Sequence, residues 1–239
     1  MDNCATNIFI QFMICRAMPI GYYLLPERLF IIPLLRTFII RKEEGRENIG
    51  KDTPYIFAVN HNSHLDEFAV MPSIVMETHR KTHFFADRKH WFEGKLPFRF
   101  LAWRFQAIPV DRTGGKGEEA LRTGEKYLEM GHNIIIYPEG TRGNGFELQK
   151  GKVGVAKLAL WSGVPVVPVG VWGTHLLMPK GKHSPRIKKI VKVKIGKPLH
   201  FEHLRDRVGD REVLREVTDR IMREIAALLG IEYVLDRKK

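Results

Sequence analysis

From about residue 37 onward, short apolar segments alternate with longer segments of helical periodicity, and this alternation limits the fold more than any other feature. The apolar segments are rich in β-branched and aromatic residues, as strands are. They span residues 37–41, 55–59, 82–86, 133–137, 164–169 and 187–195. The helical segments span residues 66–76, 118–130, 154–161 and 212–229. Strands that alternate with helices along one chain predict an α/β fold.

Prolines qualify two of these predictions. Pro72 lies inside the helix predicted over residues 66–76, where a proline kinks or shortens a helix because it lacks the amide hydrogen. Pro165 and Pro168 lie in the segment 164–169, and a proline cannot donate a hydrogen bond to a β-ladder. We therefore expect this segment at an edge of the sheet or in irregular pairing.

The charge balance narrows the choice of partners. The 239 residues, enough for one main domain, include 39 Lys+Arg against 27 Asp+Glu, which leaves a net charge of +12. Such an excess suits nucleic acid, anionic lipid headgroups or acidic carrier molecules. Nucleic acid would require aromatic residues for base stacking among the basic ones, or a known docking motif, and the sequence has neither. The two cysteines, Cys4 and Cys15, suggest neither a metal site nor a disulfide framework, which fits a reducing compartment.

The segment from Asn7 to Ile40 is very apolar, but charged residues interrupt it. They are Arg16, Glu27, Arg28 and Arg36. No uninterrupted stretch of about 20 apolar residues remains, which argues against a membrane-spanning helix. A positive leader region and a small-residue cleavage site are also missing, so a secretory signal is not expected. Arginines among large apolar residues favour helices that lie in the bilayer interface. The alternative is that these helices cap the core of the domain itself.

The segment Asn60-His61-Asn62-Ser63-His64-Leu65-Asp66 carries the first candidate site. Five residues on a helix turn through about 140°, so His61 and Asp66 can meet only across a strand-to-helix turn. A carboxylate that orients an imidazole makes it a general base, and no convincing serine or cysteine nucleophile accompanies this pair. The hydroxyl that loses its proton would then belong to the substrate. The alternatives are a buried structural histidine, or a metal site formed by His61, His64 and Asp66 that lacks the usual further ligands.

Two further segments deliver arginines from the ends of predicted strands. In Tyr137-Pro138-Glu139-Gly140-Thr141-Arg142, a tight loop offers amide and hydroxyl donors, and Arg142 matches the geometry of phosphate. The extended segment Ile108–Val110 leads through Asp111 to Arg112. The alternatives are a solvated surface arginine in the first case and, in the second, an aspartate that only caps the following turn.

Together these segments resemble the motifs of the glycerolipid acyltransferase family, which includes bacterial 1-acyl-glycerol-3-phosphate acyltransferases. Asn60, His61 and Asp66 match the first motif, residues 108–112 the second, residues 138–142 the third and residues 164–169 the fourth. All four occur in the order of the family, and the resemblance covers roughly residues 37–200. Tyr137 replaces a common phenylalanine, Gly143 a common serine, and Arg88 occupies approximately the place of a frequent lysine.

The resemblance implies an architecture, which is a central mixed sheet flanked by helices. We expect an N-terminal apolar helical segment for membrane contact over residues 1–36 and an acyltransferase domain over residues 37–239. We also expect a peripheral or monotopic position on the cytoplasmic face of the cell membrane.

The resemblance also implies a reaction, in which a fatty acyl group moves from acyl-CoA or acyl carrier protein to lysophosphatidic acid. His61 would be the base, and Asp66 would orient it. The residues expected to hold the phosphate, or to shape the loop that does, are Arg112, Glu139, Gly140, Thr141 and Arg142, with Arg88 as a further substrate-binding residue. No metal or resident cofactor is implied. The alternatives are another lysophospholipid or glycolipid acceptor, a hydrolase, and a non-catalytic lipid-binding protein.

Overall fold

Strands of the described chain form one seven-stranded sheet in the order β1-β7-β6-β2-β5-β3-β4. The computed structural model describes residues 27–94, 96–111, 117–179, 181 and 184–233. The strands are β1 Ile40–Glu44, β2 Ile56–Val59, β3 Thr82–Asp87, β4 Ile108–Val110, β5 Asn133–Ile136, β6 Val166–Trp172 and β7 Val191–Ile195. Strands β2 to β6 run parallel to one another, whereas β7 is antiparallel to β6 and parallel to β1. The predicted mixed sheet is confirmed.

Helices cover both faces of this sheet. They are α1 Ile32–Phe38, α2 Asp66–Thr78, α3 Arg88–Trp91, α4 Leu96–Arg104, α5 Gly117–Glu129, α6 Gly154–Ser162, α7 Thr174–Leu177 and α8 Arg211–Leu229. A π-helical turn, Glu27–Ile31, precedes α1, and short 3-10 helices span Arg46–Asn48 and Glu202–Arg207. The helices predicted around residues 66, 118, 154 and 212 all form within a few residues of their expected bounds.

The alternation of side chains along β2 shows how the core is divided. Phe57 and Val59 point into the core layer formed with α2, whereas Ile56 and Ala58 point into the layer formed with α5, α6 and α8. All four are fully buried. Since both faces of the sheet are covered, the central strands are continuously apolar. Ligands of parallel sheets usually bind at the carboxyl ends of the strands, and the polar residues of this sheet follow its strands there.

Four predictions about element bounds or position need correction. Of the strand expected over residues 187–195, only Val191–Ile195 forms, as β7. The strand expected over residues 37–41 begins only at Ile40, because α1 extends to Phe38. Pro72 does not end α2, which continues to Thr78. Of the two placements expected for the segment 164–169, the edge of the sheet is wrong, because β6 is internal, between β7 and β2. Pro168 fits there because the antiparallel pairs with β7 end at Val169–Ile195, so the absent N–H falls at the end of that ladder.

The predicted N-terminal apolar segment is described only from residue 27 onward, where it forms the π-helical turn and α1. Residues 1–26, with Cys4, Cys15 and Arg16, lie outside the described residues. Among the residues that are described, no helix has both the length and the apolar character needed to cross a membrane.

Candidate active site

His61 and Asp66 meet across the turn that joins β2 to α2. The His61 Nδ1 atom lies 3.0 Å from the Asp66 Oδ2 atom, and Asp66 is the first residue of the helix. An ionised carboxylate only accepts hydrogen bonds, so Nδ1 of a neutral His61 carries the hydrogen. The lone pair is then on Nε2, where a general base needs it.

Three further donors hold the buried Asp66 carboxylate in place. Its Oδ2 accepts from the backbone N–H groups of Asn62, at 2.7 Å, and Ser63, at 2.9 Å. Its Oδ1 accepts from the Thr174 hydroxyl at 2.6 Å. Thr174 begins α7, after β6, and is 108 residues away in sequence. Sequence reasoning did not identify Thr174, and no local pattern in the sequence points to it.

The loop after β5 forms hydrogen bonds with both the N–H and the carbonyl of His61. The Glu139 Oε1 atom accepts the His61 N–H at 2.8 Å, and the Gly143 N–H donates to the His61 carbonyl at 2.7 Å. The Glu139 Oε2 atom accepts the Gln149 N–H at 2.9 Å. Burial raises the pKa of Glu139 to about 7, although both hydrogen bonds act to lower it. Of the two roles expected for Glu139, this geometry supports shaping the loop over contacting the phosphate.

Tyr137 forms the floor beneath the imidazole. Its ring stacks on that of His61 with the centroids 4.1 Å apart. Burial raises the pKa of Tyr137 well above its usual range, with smaller contributions from Glu67 and Asp66. Burial also raises the pKa of Glu67, and the neighbouring Asp66 carboxylate adds to this effect. Burial therefore favours the neutral form of both Tyr137 and Glu67.

Two cavities meet at His61. The larger one, of about 470 Å³, is mostly apolar and also includes Gly140 and Lys152. Its apolar lining residues include Val110, Ala120, Leu121, Ile136, Val153 and Val155. The smaller one, of about 290 Å³, is polar and is lined by His64, Glu67, Asp87, His90, Thr141 and Arg142, among others. His61 thus stands between an apolar and a polar compartment.

The predicted binding residues divide between these compartments and other places. Thr141 and Arg142 line the polar cavity. Gly140 lines the apolar cavity with a φ of 67°, a left-handed backbone conformation that residues other than glycine rarely adopt. Arg88 lines a separate pocket of about 30 Å³ with Asp111 and Glu119 instead of either cavity at His61. Arg112 lies outside the described residues.

The residue next to Arg88, Asp87, lines both cavities and was missed from the sequence, as was Lys152. The basic run Lys150-Gly151-Lys152, soon after the third motif, was the available signal for Lys152. The histidine that contacts Asp66 is His61, and His64 has other neighbours. Its ring stacks on His90 at 4.4 Å and belongs to the wall of the polar cavity. The described residues contain no group of three or more His, Cys, Asp or Glu side chains arranged to hold a metal ion.

Acyltransferases of bacteria and plants are similar to this chain in sequence. The 1-acyl-sn-glycerol-3-phosphate acyltransferase of Bacillus subtilis is 29% identical over 191 residues, which cover 78% of this chain and 87% of that protein. The chloroplastic 1-acyl-sn-glycerol-3-phosphate acyltransferase LPAT1 of Arabidopsis thaliana is 28% identical over 162 residues, which cover 66% of this chain. The match spans only 43% of that plant protein.

A solved structure extends the likeness to the fold. The 1-acyl-sn-glycerophosphate acyltransferase PlsC of Thermotoga maritima superposes with a TM-score of 0.57 at 25% identity, over 89% of this chain and 94% of that one. The Acyltransferase family matches residues 40–172, which is more than half of the chain and contains all four motifs. This chain belongs to the Acyltransferase family.

Proposed function

We propose that this protein is a 1-acyl-sn-glycerol-3-phosphate acyltransferase, which moves a fatty acyl group from acyl-CoA or acyl carrier protein to lysophosphatidic acid. The observation that carries the proposal is the His61–Asp66 pair between a polar and an apolar cavity. The names of the relatives in bacteria and plants support the choice of acceptor. The product would be phosphatidic acid, a precursor of phospholipids.

The reaction needs no nucleophile from the protein. The His61 Nε2 atom takes the proton of the acceptor hydroxyl while the oxygen of that hydroxyl attacks the thioester carbonyl carbon. The tetrahedral intermediate then expels the thiolate, which receives that proton from His61, so an ester and a free thiol leave. The hydroxyl of Ser63, the nearest serine in the motif, donates to the Met178 carbonyl at 2.9 Å and is committed there. A thioester is reactive enough for direct attack, so the proposal includes no metal and no resident cofactor.

The two cavities suit the two ends of the substrates. Arg142 and Thr141 would bind the phosphate of the acceptor in the polar cavity, as a planar guanidinium and a hydroxyl can. An acyl chain would lie in the apolar cavity. We place the protein on the cytoplasmic face of the membrane, because its acceptor is a lipid and its net charge of +12 suits an anionic leaflet.

The test is acyl transfer to lysophosphatidic acid by the wild type and by His61→Ala, Asp66→Asn and, as a matched surface control, His200→Ala. Because positioned proton transfer contributes about 10²–10⁴-fold, we expect His61→Ala to lose about that factor in kcat. His200→Ala should retain wild-type turnover. Near-normal turnover by His61→Ala would exclude it as the base. Release of free fatty acid in the absence of an acceptor would indicate a hydrolase, and a panel of lysophospholipids would show whether another acceptor is preferred.

A further inference from the structure

Helix α4 exposes large apolar side chains along one face. Leu96, Phe100 and Trp103 are 76%, 60% and 50% exposed. Their spacing of four and three residues places them on the same side of the helix. The Phe100 and Trp103 rings touch, with centroids 5.9 Å apart, so they form a continuous patch. We call these three side chains the α4 patch.

The opposite side of α4 is anchored in the core. Ala102 is fully buried, and Phe105, just beyond the helix, packs edge-on against Phe68 of α2 at 6.1 Å. The orientation of the helix is therefore fixed by packing, and the α4 patch is directed away from the protein. A continuous exposed apolar patch of this kind usually marks an interaction site.

The charges of α4 indicate which partner the patch meets. The helix sequence, LPFRFLAWR, contains two arginines and no acidic residue. Arg99 is exposed beside the patch, and Arg104 ends the helix. Large apolar and aromatic residues with arginines at their border are typical of helices that lie in the interface of an anionic bilayer.

The place of α4 in the fold supports the same partner. Its core residues belong to the same layer as Ile32 of α1 and the buried face of α2. The π-helical turn and α1 also expose apolar side chains, namely Leu29, Phe30, Leu34 and Phe38. The segment predicted to contact the membrane and the α4 patch therefore flank α2 on one side of the sheet. Moreover, α4 follows α3, whose His90 and Trp91 line the polar cavity.

We propose that the α4 patch is a second membrane contact, in which Leu96, Phe100 and Trp103 enter the interface of an anionic bilayer and Arg99 meets its phosphates. This contact is separate in sequence from the N-terminal segment, and its helix follows α3, which lines the polar cavity. Its benefit for catalysis rests on the proposed lipid acceptor, but its existence does not.

Fluorescence quenching tests the contact directly. The wild-type chain and its variants Trp103→Phe and Trp172→Phe are mixed with vesicles of brominated phosphatidylcholine and phosphatidylglycerol. Trp172, on β6, is the matched partly exposed control. We expect the vesicles to quench the wild type and Trp172→Phe alike, whereas Trp103→Phe loses most of the quenching. Equal quenching of the wild type and Trp103→Phe would overturn the proposal, whatever binds the rest of the chain to the vesicle.

A second measurement connects the patch to turnover. In the double variant Leu96→Ser/Phe100→Ser, we expect the KM for lysophosphatidic acid in vesicles to rise about tenfold, since two large side chains no longer enter the lipid. The KM for a short-chain, monomeric acceptor should stay unchanged. Ile187→Ser, at another exposed apolar position, is the control. An equal loss on both acceptors, or none on either, would contradict a role of the patch at the membrane. Because quenching needs no turnover, it still reads lipid contact if the proposed reaction fails.

Discussion

The environment of a single carboxylate, that of Asp66, determines what His61 can do. One oxygen accepts hydrogen bonds from His61 and from two backbone amides. The other oxygen accepts a hydrogen bond from the Thr174 hydroxyl. A carboxylate with its acceptor positions occupied cannot rotate away from the imidazole. The hydroxyl of Thr174 therefore helps to orient the proposed base, although Thr174 lies outside the motif that contains His61 and Asp66. The role of this hydroxyl can be tested alone.

We expect Thr174→Val to reduce kcat about tenfold or more, because a hydrogen bond to a charged group contributes about 1.5–3 kcal/mol and 1.4 kcal/mol is a factor of ten. Thr174→Ser keeps the hydroxyl and should retain most of the activity. Thr218→Val is the matched control, since this buried threonine of α8 donates to the Leu214 carbonyl. The role of Thr174 would be refuted by a valine variant that folds and turns over like the wild type.

At the scale of elements, the loop after β5 holds the loop after β2 in place through hydrogen bonds to its backbone. The two strands are parallel neighbours, so their loops emerge at the same edge of the sheet. Glu139 bridges them through the amides of His61 and Gln149. The third motif therefore has two tasks, in which Glu139 holds the loop of the base while Thr141 and Arg142 face the polar cavity.

The raised pKa of Glu139 predicts how stability depends on pH. The folded-state pKa of Glu139 is about 7, whereas its ordinary value is 4.5. The protonated carboxyl of Glu139 therefore makes its full contribution to folding stability below about pH 4.5. This contribution is lost as the pH rises to about 7, at roughly 1.4 kcal/mol per pKa unit. We expect the stability difference between the wild type and Glu139→Gln to shift against the wild type between pH 4.5 and 7.5. Denaturant unfolding at both pH values measures it, and a pH-independent difference would contradict the prediction.

At the scale of the whole molecule, a buried histidine pair lies at the amino-terminal ends of β3 and β5. The His83 Nε2 atom lies 3.0 Å from the His132 Nδ1 atom, and the His83 ring stacks on Tyr127 at 4.0 Å. Burial and the neighbouring His132 lower the pKa of His83 to about 3, and burial lowers the pKa of His132 to about 4. Both rings are thus neutral in the folded protein. These two histidines gain their protons when the protein unfolds in acid, and they are not part of the candidate site.

This pair should make the protein sensitive to acid. A lowered folded-state pKa means that the stabilisation is complete above about pH 6.5 and is lost as the pH falls toward 3–4. We expect His83→Gln to be less stable than the wild type at pH 8 but to lose less stability on acidification to pH 4.5. The surface variant His200→Gln should follow the wild type. A wild type and a His83→Gln variant with the same acid slope would show that this pair does not drive acid unfolding.

The sequence by itself determined the local features of this protein. Apolar periodicity depends on which face of each element is buried, so it predicted the α/β class, most of the strands and the helices α2, α5, α6 and α8. The short helices α3, α4 and α7 were not predicted. The spacing of His61 and Asp66 likewise required a strand-to-helix turn, which the structure contains.

Only the tertiary structure decided what depends on strand order. The internal place of β6 brings Thr174 to Asp66, and the pairing of β2 with β5 brings Glu139 to His61. At the carboxyl end of β3, Asp87 lines both cavities, whereas Arg88 lines a separate pocket. Packing of Ala102 and Phe105 into the core leaves the apolar side of α4 exposed. Such contacts join residues far apart in the chain, so local periodicity carries no record of them.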